Sequence, residues 1–401
     1  MASPDFYGEY KAFLPLFLKQ KYLRVWDYGY KAEKALSSIR SLNLLRYLNM
    51  SHSNIEVLPE STTCLVNLQT LKLDYCHHLH TLPKDMKQMK NLRVIALHSM
   101  ENVLEGLQPN SNLKKLCISC YRGSKFSTWM KDLLLPNLVE ISLENCRSYE
   151  HLPPLGKLPH LKVLVLTGSE FYGDGTIVFP SLESLELCDM TNLEEWRIVN
   201  GKESFPHLST LLIAGCSRLE EFPIIPSVTS FTIRRSNAKL LCSVKNLTLL
   251  SFLAIEDFNK LTLLPDVLLR NHKMLVSLRI YYLCELESLA NQFNSLSALK
   301  YLEISYCNKL QSLPEGIQKL CCLQSLHILC CYRFASFQMF GFGGLSSLRK
   351  LWIEKCEAFC SLSEGIQYLT ALEELCLDKC PELISLPEGI RHLTNLRTLQ
   401  L

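Results

Sequence analysis

Few residues of this chain have the types and spacing that chemistry needs. Cys117 and Cys120 form a C-x-x-C, which would hold zinc with a second pair or a nearby histidine pair, and would do redox chemistry at a helix N-terminus. No such companion lies near, and both fall on an expected strand, so they read as structural thiols. His77, His78 and His80 are metal-ligand types, but they follow a strand in an exposed turn and read as solvated polar residues. Gly168, Gly173 and Gly175 have no following lysine and make no phosphate cradle. Gly341, Gly343 and Gly344 are too close together for a dinucleotide fingerprint and read as a loop. No Ser/His/Asp set is visible. These residues point to no enzyme and to no cofactor or metal in this chain.

What the chain does carry is a repeated scaffold. The stretch Leu68 to Pro83, LQTLKLDYCHHLHTLP, has apolar residues at Leu68, Leu71, Leu73, Leu79 and Leu82, with Cys76 eight residues after the first leucine. That spacing describes a short strand whose leucines point one way, then a turn that returns further leucines to the same core, as in a leucine-rich repeat. Repeat starts fall at Leu23, Leu45, Leu68, Leu92, Leu113, Leu138, Leu161, Leu182, Leu208, Val228, Leu250, Leu275, Leu299, Leu323, Leu348, Leu372 and Leu396. The expected fold is an α/β solenoid of about 17 irregular repeats. It would be a curved horseshoe with a parallel concave sheet and with turns, 3-10 pieces and short helices on its convex side.

Eighteen cysteines resemble a disulfide framework until their positions are read. Cys76, Cys146, Cys216, Cys307, Cys331, Cys356 and Cys380 each lie eight residues after a repeat's first leucine, where stacked repeats place a small side chain half-buried against the backbone. Unpaired thiols in such number suit a reducing compartment. The first twenty residues make neither a signal peptide nor a membrane span, so the expected location is cytoplasmic. A net charge of +3 gives no general attraction to nucleic acid or to a membrane.

Leu-Pro or Phe-Pro closes the extended segment at Pro59, Pro83, Pro153, Pro223, Pro265, Pro314 and Pro387, since proline fixes φ and removes a donor. PEGIQKL, SEGIQYL and PEGIRHL, from Pro314, Ser363 and Pro387, each read as one helical turn. Loops are expected to protrude at Gly168 to Pro180 and Cys188 to Pro206, and a weak point or a change of curvature is expected between Leu92 and Leu113, which lacks a Leu-Pro return. Residues 1–22 form a shielding segment and residues 23–401 the repeat domain. The chain ends inside a strand, which reads as an uncapped array and a probable fragment.

Alternation along each strand turns the second, fourth and sixth residues after a repeat's first leucine outward. Glu140, Glu144 and Glu186 then form an acidic strip, and later repeats present Arg279, Tyr281, Tyr301, Glu303, His327, Lys350, Trp352 and Glu354. Exposed Tyr and Trp beside Arg and Lys match the composition of binding hot spots, so this cluster is the expected protein-binding site.

The stretches LEGLQPNSNLKKLCISCYRGSKFSTWM from Leu104, LPNLVEISLENCRSYEHLPPLGKLPHLKVL from Leu135 and FPSLESLELCDMTNLEEW from Phe179 resemble the leucine-rich repeat region of plant coiled-coil NB-LRR disease-resistance proteins, the resistance-gene-analogue group. KYLRVWDYGY from Lys21 and LLRYLNMSHSNIEVLPES from Leu44 add to the resemblance, which covers nearly the whole chain. Trp26 stands where the family usually has Leu, and Ser127 where it usually has Pro. The resemblance implies a module that senses a pathogen effector or a guarded host protein, whose first repeats hold a nucleotide-binding domain at rest. Tyr47, Asn49 and Lys72 would face that domain. ADP or ATP would bind only in the nucleotide-binding domain, which this chain lacks. The alternative is a stand-alone adaptor or decoy, such as a ubiquitin-ligase substrate receptor.

Overall fold

The computed structural model describes residues 22–27, 36–98, 103–104, 107–121, 123, 126–131, 134–146, 154–168, 178–196, 204–289, 293–337 and 342–401. The expected shielding segment, apart from Tyr22, lies outside these residues, as do Pro153, Gly173, Gly175, Gly341, residues 169–177 of the first expected protruding loop and residues 197–203 of the second. The chain divides into two compact units, Met1–Met190 and Thr191–Leu401.

In the first unit, β1 (Val25–Asp27), β2 (Tyr47–Asn49), β3 (Thr70–Leu73), β4 (Val94–His98), β5 (Lys115–Ser119), β6 (Glu140–Glu144), β7 (Val163–Thr167) and β8 (Ser184–Cys188) each pair in parallel with the next. The second unit is built alike from β9 (Thr210–Ala214), β10 (Ser230–Arg234), β11 (Phe252–Glu256), β12 (Ser277–Tyr281), β13 (Tyr301–Ser305), β14 (Ser325–Leu329), β15 (Lys350–Glu354), β16 (Glu374–Cys376) and β17 (Thr398–Gln400). Every strand begins two residues after a repeat's first leucine. The fold is therefore a leucine-rich repeat solenoid with one strand per repeat.

β12 shows why. Leu278 and Ile280 are fully buried, while Ser277, Arg279 and Tyr281 face outward, the two-residue alternation of a strand with one face on a core. Burying such a leucine contributes about 1.5–3 kcal/mol, and only stacked neighbours supply the apolar surface that buries it. The return segments are 3-10 turns entered from Pro59, Pro154, Pro314, Ser363 and Pro387, with Ile317 and Ile366 buried beneath two of them. Between Leu92 and Leu113, where a weak point or a change of curvature was expected, residues 99–102 and 105–106 lie outside the described residues; β4 and β5 pair over five residues.

Two backbone ladders hold the repeats in register. Asn67, Asn91, Asn112 and Asn137 each precede a repeat's first leucine and donate Nδ2 to the carbonyls of Asn43, Val66, Lys90 and Ser111 in the preceding repeat. The seven ladder cysteines are buried rather than half-buried, and their thiols lie against carbonyls: Cys331 Sγ is 3.7 Å from Ile304 O and 3.5 Å from Leu329 O. None of the eighteen cysteines is joined in a disulfide.

Beyond most of the strands the chain turns through left-handed φ at residues that are mostly not glycine. Asp257, Tyr282, Tyr306, Cys330 and Lys355 have φ of 58°, 53°, 58°, 53° and 54°. That conformation aims each N–H at a carbonyl of the next repeat: Tyr282 at Ser305, Tyr306 at Leu329, Cys330 at Glu354 and Lys355 at Asp378. Each bond offsets a backbone cost of about 1–2 kcal/mol for an L residue in this region.

Candidate functional site: the outward face of the sheet

Parallel register brings most of the expected binding residues of the second unit into rows. Arg279, Glu303, His327 and Trp352 stand opposite one another on β12 to β15. Tyr301 and Lys350 flank them, separated by Ser325 in the neighbouring row. Tyr281 and Glu354 lie in the third row, at the far ends of their strands. All eight therefore share one outward surface.

The geometry sorts them. Trp352 and His327 stack at 4.8 Å between ring centroids with planes 10° apart, and Ser325 Oγ lies 2.9 Å from His327 Nε2. Burial lowers the His327 pKa below its ordinary value, with Lys350 acting in the same direction and the carboxylates of Glu303 and Glu374 opposing. Arg279 lies 5.4 Å from the ring centroid of Phe252, with Nε 3.7 Å from Glu303 Oε2. Lys350 Nζ is 2.8 Å from Glu374 Oε1, and Lys355 Nζ is 3.1 Å from Glu354 Oε1. Burial, then the bond to Glu303, raises the Tyr281 pKa. The cations of this face are thus already matched by carboxylates, and Tyr301, 49 % exposed, is the most open aromatic among the eight residues.

Tyr282 and Tyr306 belong to the same surface although the sequence did not single them out. They occupy the left-handed positions and stack at 4.4 Å with planes 9° apart. The left-handed turn breaks the two-residue alternation, so counting outward positions along the strand passes over them. Their signal was the offset itself, one residue before the buried eighth position of the repeat, Leu283 after Tyr282 and Cys307 after Tyr306.

In the first unit Tyr47, Asn49 and Lys72 are neighbours on β2 and β3. Lys72 Nζ lies 5.9 Å from the Tyr47 ring centroid, Asn49 pairs in register with Lys72, and Asn49 Nδ2 donates to Asp27 Oδ1 at 2.9 Å. The acidic strip is partly neutralised: Glu140 takes Lys115 Nζ at 2.6 Å, and Glu144 accepts from Ser142 Oγ. Cys117 lies on β5 as expected. Cys120 does not; it follows the strand in a left-handed turn with φ of 54°, its N–H donating to Glu144 O. Burial pushes the Cys117 thiol up to about 11, the reverse of what a reactive cysteine needs. His77 has a partner from another repeat, its Nδ1 lying 3.1 Å from His98 Nε2. Among the described residues no group of three or more His, Cys, Asp and Glu could hold a metal ion, and no helix is long and apolar enough to cross a membrane.

The two departures from the family pattern fit locally. Trp26 takes a core slot at 8 % exposure, and Ser127 is fully buried before the short helix Thr128–Lys131, whose Trp129 Nε1 donates to Leu104 O.

Residues 97–169 match the sequence family described as R13L1/DRL21 LRRs. The chain is 32 % identical over 210 residues to a putative disease resistance protein RGA1 of Solanum bulbocastanum, covering 51 % of this chain and 19 % of that protein. It is 27 % identical over 255 residues to RGA4 of the same plant, covering 59 % and 24 %. The chain thus spans only about a fifth to a quarter of the length of these relatives. Among solved structures, the crystal structure of a TLR13–ssRNA13 complex shares the fold, with a TM-score of 0.57 at 20 % identity over 92 % of this chain and 64 % of that one. The chain is a leucine-rich repeat chain similar to the repeat region of plant NB-LRR disease-resistance proteins.

Proposed function

We propose that this chain is the recognition module of a plant immune receptor and binds a protein ligand, a pathogen effector or a guarded host protein, on the outward face of β12 to β15. The observation that carries this reading is the row Arg279–Glu303–His327–Trp352, flanked by Tyr301. It combines pre-ordered aromatic surface with satisfied charges, so little side-chain entropy is lost on binding. In this reading the module is non-catalytic, acts in the cytoplasm in the defence response, and carries no nucleotide itself. The face at Tyr47, Asn49 and Lys72 is its contact to a nucleotide-binding domain of the same receptor.

The test is proximity labelling in plant cells with three forms of the protein: wild type, Tyr301→Ala/Trp352→Ala, and a control changed on the return side at Lys319→Ala. Proteins captured by wild type and control but not by the double variant support the reading. Capture that the double variant leaves unchanged, in a chain that is still folded at the assay temperature, overturns it.

A further inference from the structure

The histidines of the β3 turn gain their meaning from a residue one repeat away. His77 follows β3 in an exposed turn, and His98 closes β4 twenty-one residues on. Stacking of the repeats brings His77 Nδ1 to 3.1 Å from His98 Nε2, with ring centroids 4.4 Å apart and planes 80° apart. Tyr75 backs the pair, its centroid 6.1 Å from His98 and 6.3 Å from His77, and His52 stacks on Tyr75 at 4.6 Å. The column is built by the fold: His52 and Tyr75 occupy left-handed positions, with φ of 61° and 56°, so rings from successive repeats lie about one strand spacing apart.

The geometry points to a two-imidazole site, His77 Nδ1 with His98 Nε2, that takes a borderline divalent transition-metal ion, Cu2+ ahead of Ni2+ and Zn2+. With metal–nitrogen bonds near 2.0–2.1 Å, nitrogens this far apart subtend about 100° at the ion, between the square and tetrahedral angles. Imidazole is a preferred ligand of these ions, and Cu2+ heads the affinity order. Both nitrogens present lone pairs to the ion only when the proton that joins them in the metal-free pair moves, through solvent, to the other nitrogen of its own ring, so two neutral imidazoles bind the ion with no net loss of a proton. Among the described residues no third His, Cys, Asp or Glu completes the set, so water fills the remaining positions. The exposed His77 is able to turn its lone pair toward the ion while His98, half-buried at the strand end, stays fixed. An ion held there clips the third repeat to the fourth and stabilises the folded first unit by mass action.

The test uses the chain freed of any histidine tag and titrated with Cu2+ alone, read by electron paramagnetic resonance and by thermal unfolding. One equivalent of Cu2+ is expected, with two nitrogen couplings and a rise in the unfolding temperature. His77→Ala and His98→Ala should each weaken binding by roughly a hundredfold, because one ligand of a chelating pair is lost. His78→Ala and His80→Ala should leave it unchanged. Equal Cu2+ affinity in wild type and His77→Ala overturns the site, as does a loss found instead in the His78 or His80 variant. Should His98→Ala fail to fold, the exposed His77 variant and the nitrogen count still decide.

Discussion

His327 and Trp352 stand in register on adjacent strands with their rings stacked, and the imidazole is held there by the Ser325 hydroxyl. The stack contributes about 0.5–1.5 kcal/mol beyond the area it buries. Trp352→Ala removes the stack and the buried ring area together and should therefore cost at least that much stability, so its effect on binding must be judged against a folded control. Tyr301→Ala, at a side chain half open to solvent, should leave the unfolding temperature within a degree or two of wild type while weakening partner capture. A matched pair of urea melts and binding curves separates the two effects.

Charge reversal is a poorer probe of this face than the sequence suggests. Arg279 faces Glu303 and Lys350 faces Glu374, so Arg279→Glu sets like charges side by side. It should lower stability by about 0.5 kcal/mol or less, since exposed pairs contribute little, and the loss should shrink in high salt. Melts at low and high ionic strength would show it; a stability loss that is indifferent to salt would mean that the Arg279 stem packs on Phe252 rather than pairs.

Acid should weaken the second unit. His272 is fully buried and burial lowers its pKa, with the carbonyls of Leu268 and Leu247 opposing; burial lowers that of His327 too. A histidine whose folded pKa lies below its unfolded value of about 6.5 is neutral in the fold and charges more readily unfolded. Stability is therefore full above about pH 6.5 and is lost as the pH falls through that value toward the folded pKa. Denaturant midpoints measured from pH 7.5 to 5 should fall, and His272→Leu should flatten part of the slope. A slope unchanged in that variant would place the acid sensitivity elsewhere.

Much of this was legible from spacing. A solenoid repeats one local solution, so the first leucine of each repeat fixed where each strand begins, and the eighth residue fixed the buried thiols of Cys76 to Cys380. What spacing hid were relations between repeats. His98 lies opposite His77 only because repeats three and four stack at one register, and the carboxylate partners of Arg279 and Lys350 are set the same way. Tyr282 and Tyr306 escaped because a left-handed residue breaks the alternation by which outward positions are counted. The division after Met190 falls inside the stretch Cys188 to Pro206, which the sequence marked as a loop but not as a boundary between two units.

The thiols should split into two reactivity classes. Cys242, Cys321, Cys322 and Cys360 are exposed, whereas the ladder thiols are buried, and the pKa of Cys331 is raised by its neighbour Cys307 and by burial. Iodoacetamide on the native chain should label those four exposed sites first, and the seven ladder cysteines only after unfolding. Rapid native labelling of Cys331 would contradict the ladder.

Inward leucines give the control that any face variant needs. Leu71 and Leu302 are buried on β3 and β13, so truncating either to Ala should cost about 2–5 kcal/mol through lost burial and the cavity left behind. Loss of partner capture in such a variant says nothing about a binding site. Equilibrium urea unfolding measures the cost, and a value below about 1 kcal/mol would show that the repeat relaxes around the gap.

The left-handed positions offer a last check, on the backbone rather than on a side chain. Lys355 adopts φ of 54° to donate its N–H to Asp378 O at 3.0 Å, and its ammonium meets only the exposed pair with Glu354. Lys355→Ala keeps the Cβ and its strain; Lys355→Gly removes both. The glycine variant should be the more stable of the two by about 1 kcal/mol, the reverse of the order in a helix or strand interior, where glycine is the weaker. Were alanine the more stable, the turn after β15 would not hold the left-handed conformation in solution, and the N–H bond from Lys355 to the next repeat would go with it.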